Sequence, residues 1–160
     1  MAAMMEGILS GNTSSFEHVW SQVGVTSAYV TSPSGALNAI EVLSASSIFL
    51  LISVLGSGYG NLSLLHLVSF SYSLQGLHML CVGLISEQFT RVITNTIYYV
   101  CFNYGAAAIY LISAIFAFSL GLNPFKTTTS LISVALALFC MCLHFGHGVY
   151  WSRIGMKTVH

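Results

Sequence analysis

Residues 96–120 constrain the fold of this chain more than any other segment, because they combine a long run without charged side chains with an unusual number of small residues. At about 1.5 Å of rise per residue, a helix of that length crosses the roughly 30 Å hydrocarbon core of a bilayer. The segment is also rich in glycine, alanine and serine, and small side chains let helix backbones approach closely in lipid. It is therefore predicted to be a membrane span against which three further spans pack.

The amino-acid composition places the whole chain in the membrane class. Only 5% of its 160 residues are charged and 56% are hydrophobic, whereas soluble domains carry about 25% charged residues. So few charges cannot cover a water-facing surface, and we expect an integral membrane protein of one domain. The zero net charge and the lack of a basic run argue against a nucleic-acid partner.

Glycine, proline and short polar segments divide the chain into predicted spans at about 36–56, 64–85, 96–120 and 128–151. These lengths predict an all-α fold, an integral membrane antiparallel four-helix bundle. Residues 35–153 would form the four-span domain. A cytosolic N-terminal tail is expected at 1–34 and a short C-terminal tail at 154–160.

Four spans place both termini on one side of the membrane. Three basic residues, Arg91, Arg153 and Lys157, then lie on that side, and Lys126 lies on the other. Because lysine and arginine are enriched in cytoplasmic segments, the N and C termini are both expected to be cytosolic.

Two of the predicted spans carry a family resemblance. The first contains Ser34-Gly35-Ala36-Leu37 and Ile40-Glu41-Val42-Leu43, and the third contains Asn103-Tyr104-Gly105-Ala106-Ala107-Ala108 and Tyr110-Leu111-Ile112-Ser113-Ala114. With these segments the chain resembles the MARVEL-domain family, in particular its MAL, plasmolipin and chemokine-like-factor branches, over roughly 35–153. The resemblance implies a role in membrane organisation, vesicle traffic, cell junctions or fusion, or as a partner of other membrane proteins, without enzyme activity. It also implies the plasma membrane or secretory and endocytic vesicles as the location.

A buried polar cluster is predicted from the few polar residues inside the spans. Glu41 is the only acidic residue in a predicted span, and a charge in hydrocarbon must face the bundle or be neutralised. His78, His144 and His147 fall at about the same depth as Glu41, counted from the cytosolic ends of their helices. The cluster could serve as interhelical hydrogen-bonding glue, as a pH-responsive switch or as a metal site.

The spacing of small and polar residues predicts which helix faces point inward. On the fourth span, residues at steps of three and four form one stripe: Ser130, Ser133, Ala137, Cys140, His144, His147 and Trp151. Such steps place side chains on one side of a helix. The small residues predicted to pack helices together are Gly76, Gly83, Gly105, Ala108, Ser113, Ala117, Ser133 and Ala137.

The sequence offers no machinery for catalysis. It contains no phosphate-binding glycine loop, nucleophile elbow or HExxH helix, and no carboxylate pair within its spans. We therefore expect no enzyme activity, no cofactor and no resident metal. The leading hypothesis is a protein that organises membrane through lateral helix association, with lipids, other integral membrane proteins or further copies as partners. The alternatives are an auxiliary subunit of a channel, transporter or receptor, and a small proton-linked transporter.

Overall fold

A computed structural model describes residues 29–55, 60–86, 96–119 and 127–155. They form four long helices: α1 Pro33–Leu55, α2 Ser63–Ile85, α3 Ile97–Ser119 and α4 Thr127–Gly155. A one-turn 3-10 helix, Gly60–Leu62, precedes α2. The described residues contain no strand, and all four helices are long and apolar enough to cross a membrane. The predicted all-α, four-helix class is confirmed.

Several predicted segments lie outside the described residues. They are the N-terminal tail up to residue 28, most of the three connections between spans, and residues 156–160.

The first helix begins with a standard capping arrangement. The Gly35 N–H donates to Ser32 Oγ over 3.1 Å, and the Ala36 N–H donates to the Ser32 carbonyl over 2.9 Å. Serine is a favoured N-cap residue, and proline is favoured at the first helical position because its missing N–H would be unsatisfied there anyway. Consequently α1 starts at Pro33, and Ser32 immediately before it is the N-cap.

The helices pack as a four-sided bundle in which each helix has two neighbours. The α3–α4 interface is the most extensive, followed by α1–α2 and α1–α4, and the α2–α3 interface is the smallest. No helix is central. The expectation that the other three spans pack against α3 is therefore wrong, because α1 lies diagonally across the bundle from α3. We call the end of the bundle at which α1 begins and α4 ends the terminal end.

The apolar core occupies the half of the bundle remote from the terminal end. It combines a few bulky residues with alanines: Ile48, Ile52, Leu62, Leu65, Val68, Tyr110, Ala114, Ala117, Ala137 and Cys140. The buried alanines belong to α3 and α4, and small side chains let helices approach closely. Large apolar residues such as Leu43, Val54 and Ile115 are exposed on the outside of the bundle. This distribution suits a protein surrounded by lipid.

Two of the small residues predicted to pack helices do not do so. Ala108 is exposed and Gly105 is only partly buried, and a Cβ atom added at Gly105 would meet nothing within 4 Å. The buried positions of α3 instead include Ala106, Ala107 and Tyr110. The segment is uniformly small, so its composition did not show which side of the helix faces the bundle. Gly76, Gly83, Ser113, Ala117, Ser133 and Ala137 are all buried.

Candidate functional site

A buried cluster of titratable side chains lies in the half of the bundle near the terminal end. His147 Nδ1 lies 2.9 Å from Glu41 Oε1, and His144 Nδ1 lies 3.5 Å from the same oxygen. All three side chains are almost entirely buried. The structure therefore brings together three of the four residues of the predicted cluster, Glu41 from α1 and both histidines from α4.

Two helical regularities produce this meeting. His144 and His147 are separated by three residues, so they occupy the same face of α4. Glu41 and Asn38 are related in the same way on α1, and both are buried. Since α1 and α4 are neighbours that run in opposite directions, the early part of α1 and the late part of α4 lie at the same depth.

The second nitrogen of His147 extends the cluster towards the terminal end. His147 Nε2 lies 3.3 Å from Ser34 Oγ and 3.4 Å from the Tyr99 hydroxyl. The Trp151 indole N–H in turn donates to Ser34 Oγ over 3.2 Å. With Glu41 ionised, His147 Nδ1–H donates to the carboxylate and Nε2 accepts from a hydroxyl. Both nitrogens of His147 are thus used within the protein.

His144 is held by an amide and by aromatic rings. The Asn103 amide donates from Nδ2 to the Tyr99 carbonyl over 2.9 Å, which directs Oδ1 to His144 Nδ1 at 3.2 Å. The Tyr110 ring stacks on the imidazole with centroids 5.7 Å apart and planes inclined by 16°. Tyr72 of α2 also contacts this imidazole, with ring centroids 5.5 Å apart. His144 therefore joins the polar cluster to the apolar core.

His78, the fourth predicted member, does not belong to the cluster. Its side chain is exposed, whereas Gly76, Met79 and Gly83 of the same helix are buried. Successive residues of a helix are rotated by about 100°, so His78 points about 200° away from Gly76. The prediction placed His78 at the right depth but on the wrong side of α2. Depth follows from residue number alone, whereas orientation depends on which face packs.

The arrangement does not resemble a metal centre. Within the described part of the chain, no group of three or more His, Cys, Asp or Glu side chains is placed to hold a metal ion. His147 directs one nitrogen to Glu41 and the other to hydroxyl groups. The arrangement can link helices α1, α3 and α4 and can hold or pass a proton between a carboxyl group and an imidazole.

Sequence reasoning missed Ser34 and Tyr99 as members of this network. It placed Ser34 in the N-terminal tail and did not assign Tyr99 to the inward face of its helix, whereas Trp151 belongs to the predicted inward stripe of the fourth span. Tyr99 is 4% exposed, whereas its neighbour Tyr98 is 67% exposed. A usable signal was present, because Tyr99 precedes Asn103 by one helical turn, which places both on one side of the helix.

Tyr29, just before α1, closes the bundle at the terminal end. Its ring lies so close to Gly83 that a Cβ atom there would be 2.0 Å from Tyr29 Cδ1. Asn38 Nδ2 donates to the Tyr29 hydroxyl over 3.4 Å, and burial raises the pKa of that hydroxyl above its ordinary value. The buried Tyr29 ring therefore packs between α1 and α2 at this end of the bundle.

A separate polar pair lies at the opposite end of the bundle. His66 Nε2 lies 2.9 Å from Ser53 Oγ, and the His66 ring stacks on Phe49 with centroids 4.8 Å apart and planes inclined by 4°. An open groove of about 340 Å³ runs beside this stack, lined by Phe49, Ser63, His66, Leu67 and Phe70. This pair joins α1 and α2 at the end of the bundle remote from the Glu41 cluster.

Comparisons of the chain with protein-family models, curated proteins and solved structures found no significant match.

Proposed function

We propose that this multi-pass membrane protein is a non-enzymatic, MARVEL-like organiser of membrane domains, vesicle traffic, junctions or fusion, and that it acts through lateral helix association. One observation carries the proposal: Glu41 Oε1 lies within 3.5 Å of both His147 and His144, and each histidine has a further side-chain partner in the same bundle. A polar cluster satisfied in this way stabilises the packing of the helices.

The outer surface of the bundle supports an association role. Large apolar side chains cover it along the helices, including Leu43, Val54, Leu67 and Phe118, each more than half exposed. In a bilayer such a surface meets lipid chains or the spans of other proteins. Membrane lipids, other integral membrane proteins and further copies of the chain are therefore the partners we propose, in the plasma membrane or in secretory and endocytic vesicles.

Two differently tagged copies, expressed together and crosslinked in native membranes, test this proposal. An organiser should be recovered in contact with its own second copy, and mass spectrometry of the crosslinked peptides should report those contacts. An auxiliary subunit should instead be recovered with one other membrane protein at a fixed ratio. If the chain is recovered with one such protein and shows no contacts between its own copies, the organiser function is wrong and the auxiliary-subunit function takes its place.

A small proton-linked transporter is the second candidate, because groups that can both accept and donate a proton continue from Ser34 and Tyr99 through His147 to Glu41. Such a row of donors and acceptors can carry a proton towards the middle of a bundle. Purified protein in liposomes should then show proton flux that Glu41→Gln abolishes and His78→Gln leaves unchanged. No flux from well-folded protein removes this candidate.

A further inference from the structure

Helix α2 carries two polar side chains, Gln75 and His78, on one side. His78 is exposed and Gln75 is partly buried, and neither side chain has a hydrogen-bond partner among the described residues. The two lie three positions apart, so they are adjacent on one side of the helix. They form a polar patch on a surface that is otherwise apolar.

His78 belongs to a continuous stripe along α2, which we call the α2 outer face, and Gln75 borders it. Its six residues are spaced alternately by four and three positions, and all are exposed: Leu67, Ser71, Leu74, His78, Cys81 and Ile85. Each lies two positions after a residue that faces the bundle interior, so the stripe points directly away from it. Alternating steps of four and three are the spacing with which one helix packs along another.

The polar patch is unusual for its position. His78 lies about 10 Å along the helix from the end of α2 at Ile85, which is inside the hydrocarbon core of a roughly 30 Å layer. Within the described segments, the only other exposed polar side chain that is not a hydroxyl is Arg153, in the last turns of α4. Ionisable residues within membrane spans almost always face a protein interior or a water-filled cavity. The exposure of His78 on the α2 outer face therefore favours contact with another protein over contact with lipid.

We propose that a second copy of this chain packs against the α2 outer face, with the two α2 helices parallel and His78 beside His78 of the partner copy. All copies insert in the same orientation, so two of them are related by a two-fold axis along the membrane normal and present identical faces. A neutral imidazole has one donor and one acceptor nitrogen. Two such rings can therefore hydrogen-bond to each other, and the Gln75 amides are self-complementary in the same way.

This interface deepens the proposed organiser function, since it specifies which helix mediates lateral association. It rests on that function only for the expectation that copies associate at all. Association through another helix would overturn this interface and leave the organiser function standing. A chain that never associates with its own copy would overturn both.

Cys81 offers a direct test, because it lies on the α2 outer face one turn after His78. A variant carrying Cys101→Ser, Cys140→Ala and Cys142→Ser retains Cys81 as its only thiol. In native membranes, oxidation with copper phenanthroline should give a disulfide-linked dimer of this variant, since Cys81 of each copy approaches the other within disulfide reach, about 7 Å between Cα atoms. Matched variants that retain only Cys101 on α3 or only Cys142 on α4, both exposed, should remain monomeric.

Variants of His78 test the hydrogen bond itself. Energy transfer between labelled copies in liposomes, measured at increasing dilution in lipid, gives the association constant. His78→Leu should weaken association by about 3- to 30-fold, the range expected for one interhelical hydrogen bond, and His78→Asn should restore most of it. An equal effect of His66→Leu, at the other end of the same helix, would count against a specific role for residue 78.

The remaining outcomes overturn the proposal. Crosslinking through Cys101 or Cys142 instead of Cys81 assigns the contact to α3 or α4. A Cys81 adduct with a different protein shows that the face binds another partner. Absence of any contact between tagged copies in native membranes removes the self-associating interface.

Discussion

At the scale of single residues, Glu41 is the position where the cost of burial and its compensation are clearest. An acidic side chain at the centre of a membrane helix costs about 2.5–3.5 kcal/mol on insertion scales. In this protein Glu41 Oε1 lies 2.9 Å from His147 Nδ1 and 3.5 Å from His144 Nδ1. Removing one partner of a buried pair leaves the other polar group without a hydrogen bond, which costs free energy. Replacing both partners by apolar residues of similar size leaves no polar group that needs a partner.

The coupling between Glu41 and His147 can be measured by a double-mutant cycle. Glu41→Leu and His147→Phe should each destabilise the protein, and the double variant should lose about 1–3 kcal/mol less than the sum, because neither partner is left unpaired. Equilibrium unfolding in detergent micelles gives the three free energies. Glu41→Leu combined with His78→Phe should be additive, since His78 lies outside the cluster; strict additivity in both pairs would refute the contact.

Gly83 is a second position where a single added atom should change the stability of the protein. Gly83→Ala places a Cβ atom 2.0 Å from the Tyr29 ring, so the ring must move, and we expect a loss of about 1–3 kcal/mol from overpacking. Gly105→Ala is the matched control, because nothing lies within 4 Å of its Cβ position. That change should be neutral or stabilising by up to about 1 kcal/mol. Thermal unfolding in detergent compares the two, and equal effects would contradict the Tyr29 contact.

At the scale of helices, the α3–α4 pair depends on small side chains along one face of each helix. Ala106 and Ala117 of α3 and Ala137 of α4 are fully buried, and these two helices share the most extensive interface of the bundle. With lipid on the outside, the hydrophobic effect contributes little to holding helices together, and close van der Waals packing contributes more. The volume of these side chains therefore sets the distance between α3 and α4.

Enlarging an alanine should distinguish the inward face of α3 from its outward face. Ala117→Leu inserts volume into a fully buried contact and should cost about 1–3 kcal/mol. Ala108→Leu adds the same side chain at an exposed position of the same helix and should change the unfolding free energy by less than about 0.5 kcal/mol. Chemical unfolding of both variants provides the measurement; a larger cost at Ala108 would mean that α3 packs through its other face.

At the scale of the whole molecule, the bundle has a polar half and an apolar half. The Glu41 cluster lies near the terminal end, where α1 begins and α4 ends, and the apolar core fills the remainder. His144 connects the two halves by stacking on Tyr110. The polar half fixes which helices are neighbours, because its hydrogen bonds require particular partners, and the apolar half requires only matching volume.

The number of helices also determines where the chain ends lie. Four crossings return the chain to its starting side, and the distribution of lysine and arginine favours the cytosol for that side. A protease-sensitive tag at either terminus should therefore be cut only after sealed cells are permeabilised. A tag inserted in the connection at residues 121–126 should be cut from outside without permeabilisation. Cleavage of only one terminal tag in intact cells would indicate an odd number of crossings.

Much of the fold could be predicted because its cause is local. The scarcity of charge predicted a membrane protein, and four long apolar segments predicted four helices, which the structure confirms. Glu41, His144 and His147 could be predicted to lie at the same depth in the membrane, because the distance along a helix is proportional to the number of residues. Tyr29 and Ser34 could not be assigned to the site from the sequence, since their roles depend on the position of residues far along the chain.

The sequence alone determined what the chain must do with its surroundings: enter a bilayer, cross it four times and shelter one carboxyl group from lipid. These follow from hydrophobicity and segment length, which each segment carries by itself. The tertiary structure alone decided which side of each helix faces inward. In the folded bundle His147 contacts Glu41, whereas His78 and Ala108 are exposed on the outside. In a chain that is apolar all round, the rotation of a helix about its axis is set by the neighbours that it packs against.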